Sequence, residues 1–247
     1  MSERPISSDD PSDSARSDPS TDTTCDGTTS DDSTGDDSTG AGTTREPARA
    51  GDHYFTGRPA SADERRRITV SLAGRDVEVE VAGGVFSPGG LDKGTAILLD
   101  EVPGPPTRGT FLDLGCGWGP IALTLGLLSP EADTWAVDVN ERALDLARGN
   151  AARLGLDVRA ALPSEVPADV TFDLIWSNPP IRIGKAALHD LLRAWLPRLA
   201  PGGTAYLVVS KNLGGDSLQR WITTDLGLPC IRHSSAKGFR VLAVSRS

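Results

Sequence analysis

From residue 109 onward the chain alternates short apolar runs with helix-like segments, and this rhythm constrains the fold more than any other feature. "TFLDLG" is followed by "PIALTLGLLS", "TWAVDV" by "NERALDLARGNAARLG", "FDLIWS" by "AALHDLLRAWLPRLA" and "TAYLVVS" by "SLQRWITTDLG"; "LDVRA", "CIRHSS" and "FRVLAVS" supply further strands. In the second helical segment Asn140 stands at the N-cap, Ala143, Leu144, Ala147, Ala151 and Leu154 recur on one face, and Gly155 ends the run. Strands and helices alternating at this spacing predict an α/β fold, Rossmann-like and doubly wound, around a mostly parallel seven-stranded sheet. Such sheets bind ligands beyond the carboxyl ends of their strands, so the residues just after each strand carry the functional information.

Ahead of this core, "ITVSLAGRDVEVEV" (Ile68 to Val81) alternates apolar and polar residues around Ala73-Gly74-Arg75-Asp76, the pattern of a β-hairpin. A turn-rich "GGVFSPGG" leads into "LDKGTAILLDEV", a short helix that stops before Pro103. The expected organisation is one domain over residues 53–247, with a hairpin and helix extension at 53–108 and the Rossmann-like core at 109–247. Residues 1–50 differ in kind: ten Asp and two Glu stand against four Arg, apolar side chains are scarce, and "DDSTGDDSTG" is a direct repeat. They are expected to form a disordered acidic tail, because little apolar surface offsets the entropy lost on ordering. The tail either solvates the chain or competes with nucleic acid for a basic patch.

The acidic balance is a property of that tail. The remaining residues hold 21 Lys and Arg against 22 Asp and Glu, so an anionic partner is compatible with the domain. No apolar run approaches the roughly 18 residues of a membrane span, and the first residues lack the apolar centre of a secretory signal. Cys25, Cys116 and Cys230, like His53, His189 and His233, show no metal-ligand spacing. The expectation is a reduced, cytoplasmic protein with no membrane span and no bound metal.

Two stretches that follow strands carry chemistry. In "LDLGCGWGP", Gly115, Gly117 and Gly119 let the backbone turn tightly and approach a ligand, with Asp113 inside the same stretch. Many nucleotide binders share such a turn. The dinucleotide fingerprint requires a glycine where Pro120 stands, which disfavours a nicotinamide-dependent dehydrogenase. Asp138, at the end of the next strand, is placed either to accept both hydroxyls of a ribose or to cap the helix that begins after Asn140. In "WSNPP", Pro179 holds Asn178 extended, and Pro179 and Pro180 offer no N–H, so the corner presents acceptors: the Asn178 side-chain oxygen and the Pro179 carbonyl. Such a corner suits a planar amino group with two hydrogens to give; the alternative is a proline turn that merely ends a strand.

These stretches, with "GVFSPGGLDKGTAILL" (Gly84 to Leu99), "AVDVN" and "KGFRVLAV", occur in an order that resembles the small-methyltransferase-domain group of class I S-adenosylmethionine-dependent methyltransferases, and within it the ribosomal RNA small-subunit guanine-N2 methyltransferases. The resemblance covers residues 53–247. It implies S-adenosylmethionine as cofactor, held by Asp113, Gly115, Gly117, Gly119 and Asp138, with Asn178 between cofactor and substrate and Asn178 and Pro179 on the target amine. It implies small-subunit rRNA or the ribosomal subunit as partner. Candidate substrate contacts are Phe86, Pro180, Ile181, Arg182 and Lys185, the last two as phosphate ligands beside the target; Arg65, Arg66 and Arg67 are either a second such patch or a solvated surface.

Three departures from the family stand out. Ile181 replaces an aromatic that stacks on the flipped base, leaving Phe86 or Trp118 for that task. "RAALPSE" lacks an acidic or amide residue for the adenine. The acidic tail stands where larger members carry an RNA-reading domain. The competing functions are methylation of another nitrogen, such as adenine N6 or a protein glutamine amide, and a non-catalytic RNA-binding module.

Overall fold

The computed structural model describes residues 60–180 and 183–247. The acidic stretch at 1–50, residues 53–59 of the expected domain, Cys25, His53 and the candidate residues Ile181 and Arg182 lie outside the described residues.

The hairpin comes first. Strands β1 (Arg65–Leu72) and β2 (Arg75–Ala82) pair antiparallel from Arg65 opposite Ala82 to Leu72 opposite Arg75. Ala73 and Gly74 close it, with φ of 51° and 72°, the doubly left-handed backbone that matches the twist of a two-residue hairpin. Helix α1 (Lys93–Glu101) follows, capped by the Asp92 carboxylate, which accepts the N–H groups of Gly94 and Thr95.

Next come β3 (Thr110–Leu114), α2 (Pro120–Leu128), β4 (Asp133–Val137), α3 (Glu141–Arg153), β5 (Val158–Ala161), β6 (Phe172–Ser177), α4 (Lys185–Trp195), β7 (Leu199–Ser210), α5 (Gly215–Asp225), β8 (Cys230–Ala236) and β9 (Phe239–Ser245). The seven strands from β3 onward form one sheet in the order β5-β4-β3-β6-β7-β9-β8. The pairs from β5 to β7 are parallel, and β9 runs antiparallel to both β7 and β8. This is the expected doubly wound, mostly parallel sheet.

Both faces are covered, which is why the strands read as nearly unbroken apolar runs. On one face Leu112, Leu114, Phe172, Ile175 and Leu207 pack with Leu188, Leu192 and Trp195 of α4 and with Leu218 and Ile222 of α5. On the other, Phe111, Leu174, Trp176 and Val208 meet Ile97 and Leu98 of α1 and Ile121 and Leu125 of α2. The hairpin has its own core, in which Val70, Leu72, Val79 and Val81 pack against Trp118, Leu123, Ala143 and Leu146.

Polar bonds fix that docking. Asn150 of α3 is fully buried; its Oδ1 accepts the Glu80 N–H at 2.7 Å, while its Nδ2 donates to the carbonyls of Glu80 and Trp118, each at 3.0 Å. One side chain thus ties β2 to the loop after β3. The arginine run 65–67 lies on β1, with Arg66 and Arg67 exposed and each guanidinium engaged: Arg65 pairs with Glu80 and Asp145, Arg67 with Glu78 and Glu80, and Arg66 donates to the Pro88 carbonyl. Among the described residues no helix is long and apolar enough to cross a membrane.

Replacing Asn150 by Ala strands the Glu80 N–H and two carbonyls in the interior. A loss of roughly 3 kcal/mol or more in unfolding free energy is expected, since each of the three unsatisfied groups costs about 1–3 kcal/mol; denaturant titration of both proteins measures it.

Candidate active site

Two loops leave the sheet side by side at the switch in strand order, where β3 leads outward to β4 on one side and β6 to β7 on the other. Residues 115–119 follow β3 and residues 178–180 follow β6. Buried Ser177 joins the two strand ends, its hydroxyl donating to the Leu114 carbonyl at 2.6 Å. Beside them the residues before and at the start of α1 close a cleft. Phe86, Asp92, Thr95, Gly117, Ile121 and Asn178 are among its walls.

The glycine turn is shaped by internal bonds. The N–H groups of Gly115 and Cys116 both reach the Val137 carbonyl, at 2.8 and 3.0 Å, and that of Gly117 reaches the Asp138 carboxylate at 2.9 Å. Gly115 and Gly117 have φ of 78° and 54°. A Cβ on Gly117 would stand in open cleft, with the Phe86 carbonyl 4.0 Å away as its nearest neighbour, and one on Gly115 would enter the gap toward Pro180, 3.7 Å from its Cδ. Side chains there would fill the space a ligand needs, so the turn fits a cofactor laid against bare backbone.

Asp138 lies between the glycine turn and the start of α3 and braces both. Its Oδ2 braces Gly117 and its Oδ1 accepts the Asn140 N–H at 2.9 Å, leading into α3, whose N-cap is Asn140. Burial raises its pKa, and the hydrogen bonds from Gly117, Asn140 and Val139 oppose that rise. Three donors leave it about one further accepting position, which a ligand hydroxyl could take.

Asn178 is the most constrained polar group in the cleft. Its Nδ2 donates to Asp92 Oδ2 at 2.8 Å and to Thr95 Oγ1 at 3.0 Å. A carboxylate only accepts, so the amide orientation follows from its partner. Its Oδ1 takes no bond among the described residues and is left as an acceptor. The Pro180 carbonyl is used by the Ile183 N–H at 3.1 Å, whereas that of Pro179 takes no bond among the described residues.

Several expected residues sit elsewhere. Asp113 is 0 % exposed and does not line the cleft; its Oδ2 accepts the Ala122 N–H at 2.9 Å, bracing the first turn of α2. Gly119 faces α3, where an added Cβ would lie 3.2 Å from that of Ala147, so it serves helix packing and not direct ligand contact. Trp118 is 1 % exposed, packed under the hairpin, and its ring has no face to offer a base. Phe86, 42 % exposed at the cleft mouth, has one. Lys185 opens α4 and lines a different groove with Leu188, His189, Leu213 and Leu218. Asp92 and Thr95 also line the cleft, although the helix start they occupy is their only local signal in the sequence. Among the described residues no group of three or more His, Cys, Asp or Glu could hold a metal ion.

A Rossmann-like sheet in this order, with a bare glycine turn beside an Asn-Pro-Pro corner, defines an S-adenosylmethionine-dependent methyltransferase. The chain belongs to the methyltransferase small domain family, whose model matches residues 76–242. It is 32% identical over 170 residues to the uncharacterized protein YbxB of Bacillus subtilis, covering 67% of this chain and 85% of that one. It is 38% identical over 144 residues to ribosomal RNA small subunit methyltransferase C of Serratia proteamaculans, covering 56% of this chain and 41% of the relative. It thus spans about half, or less, of the length of such rRNA enzymes. In fold it is similar to the T. thermophilus 16S rRNA N2 methyltransferase solved with AdoMet and guanosine, with a TM-score of 0.65 at 22% identity over 76% of this chain and 52% of that one.

Burial pushes the Asp113 carboxyl up to about 8, with the Ala122 N–H opposing and the Asp138 charge adding to the rise. The folded state therefore holds a proton that the unfolded state releases near pH 4, and this group's stabilising contribution falls as pH rises from about 4 to 8. Asp113→Asn cannot ionise. Its stability relative to the parent is expected to improve with pH across that window, by up to about 1.4 kcal/mol per unit; denaturant midpoints at pH 5, 6.5 and 8 give the slope.

Proposed function

We propose that this chain methylates the exocyclic N2 amine of a guanine in small-subunit rRNA. The observation that carries the reading is the Asn178 amide, turned so that its oxygen is free beside the glycine turn. S-adenosylmethionine, when bound, supplies a methyl group on a sulfonium, which a nitrogen lone pair can displace with departure of a neutral thioether. Gly115, Gly117 and Asp138 would hold it, the first two through bare backbone and the last through ribose hydroxyls.

The chain's own work is positioning and electrostatics. A guanine amine is a poor nucleophile because its lone pair is shared with the ring. Asn178 Oδ1 and the Pro179 carbonyl accept its two hydrogens, which favours a pyramidal nitrogen and stabilises the positive charge that grows there. Once the N–C bond has formed, one proton passes from nitrogen to the solvent that reaches the half-buried Asn178. Holding the reacting atoms in line can contribute roughly 7–11 kcal/mol in favourable cases. Phe86 offers a face on which a base turned out of its helix could stack, at an unstacking cost of a few kcal/mol. Pro180 is exposed at the tip of the corner and borders the same approach.

The rRNA assignment draws on the family and on the named relatives; the amine assignment draws on the acceptor corner. Asn178→Ala is expected to bind S-adenosylmethionine with near-normal affinity in calorimetry and to transfer methyl about 10²- to 10³-fold more slowly. The substrate is tested with small subunits from cells lacking the protein, labelled cofactor and nucleoside mass spectrometry. N2-methylguanosine is the expected product; label in N6-methyladenosine or in protein would point to another nitrogen, and no label at all to a binding module.

A further inference from the structure

We propose that Asp92 and Thr95 are positioning residues for methyl transfer, acting through Asn178 by holding its amide in the one orientation that presents oxygen to the substrate. The proposal rests on the function given above. A primary amide has two nearly isosteric ends, and only one of them helps: Oδ1 accepts from an amine, whereas Nδ2 would oppose it with like donors. Nothing within the strand end or the prolines distinguishes the two, since the backbone of Asn178 fixes where the side chain starts and not how its amide is turned.

The discrimination comes from α1. Asp92 Oδ2 lies 2.8 Å and Thr95 Oγ1 3.0 Å from Asn178 Nδ2, so both amide hydrogens have acceptors. A flipped amide would set Oδ1 against a carboxylate oxygen that has nothing to donate. The same Asp92 oxygen accepts the N–H groups of Gly94 and Thr95, at 2.7 and 3.3 Å, so the helix cap holds the carboxylate still while the carboxylate holds the amide. Gly94 leaves room for this: an added Cβ would come within 2.9 Å of Asp92 Oδ2 and 3.2 Å of Asn178 Nδ2. Thr95 is 3 % exposed, so its hydroxyl competes for Asn178 with little water. Two residues 83 and 86 positions upstream thereby set the polarity of the acceptor corner.

The test is a double-mutant cycle on kcat with saturating S-adenosylmethionine and small subunits from cells lacking the protein. Asp92→Ser keeps an N-cap oxygen but withdraws it from Asn178; Thr95→Val keeps the shape and removes the acceptor. Each is expected to lower kcat, by about 10- to 100-fold for Asp92→Ser and about 3- to 10-fold for Thr95→Val, with cofactor affinity within about 2-fold of the parent. In an Asn178→Ala background each should change kcat less than 2-fold, because their only route to the reaction is gone. The Asn178 side-chain amide proton and nitrogen signals should shift in both single variants. Equal losses with and without Asn178 overturn the proposal, as does a full rate in both single variants when Asn178→Ala is slow. A full rate in Asn178→Ala itself overturns the proposed function, and this proposal with it.

Discussion

The adjacency of β3 and β6 governs the chemistry of this chain. Neighbouring parallel strands deliver their carboxyl ends to the same edge, and the buried bond from Ser177 to Leu114 holds those ends together at 2.6 Å. Because the order reverses there, α2 and α4 pack on opposite faces of the sheet and the edge between them stays open. A glycine turn emerges on one side of the opening and an asparagine with two prolines on the other. Gly115 and Pro180 then approach so closely that a single methyl at residue 115 would begin to fill the gap.

That arrangement needs a third wall, which the hairpin extension and α1 supply. Asn150 ties β2 to the carbonyl of Trp118 inside the glycine turn, and Asn140 and Arg142 reach the carbonyls of Gly84 and Gly83 in the segment that follows β2. Phe86, Asp92 and Thr95 are thus brought over the cleft by polar bonds from α3, the helix that also packs against Gly119. The extension is in this sense part of the site and not an appendage of the sheet.

What could be read from the chain beforehand follows from periodicity. The alternation of apolar runs and amphipathic helices survives in the sequence because both sheet faces are covered, and the Asn140 cap and Gly155 stop are local signals that tertiary contacts left alone. Orientation is harder to read. Asp113, Gly119 and Trp118 lie in the same turn as Gly115 and Gly117, yet they face α2, α3 and the hairpin, and residue order within a turn does not say which way each side chain points. The three arginines at 65–67 suggest a basic surface only until Glu78, Glu80 and Asp145 are placed opposite them. Asp92 caps α1 and also reaches Asn178 across the cleft, a partner 86 positions away that no local pattern signals.

The carboxylates around the turn also divide their labour by burial. Asp113, sealed under α2 and near the charge of Asp138, favours its protonated form, and the buried thiol of Cys116 is held neutral by desolvation and by both acids. Burial also raises the pKa of Asp138, against backbone donors that oppose the rise, and Asp92 caps the N-terminus of α1. The oxygens of these two acids are committed to orienting a neighbour, Gly117 in one case and Asn178 in the other.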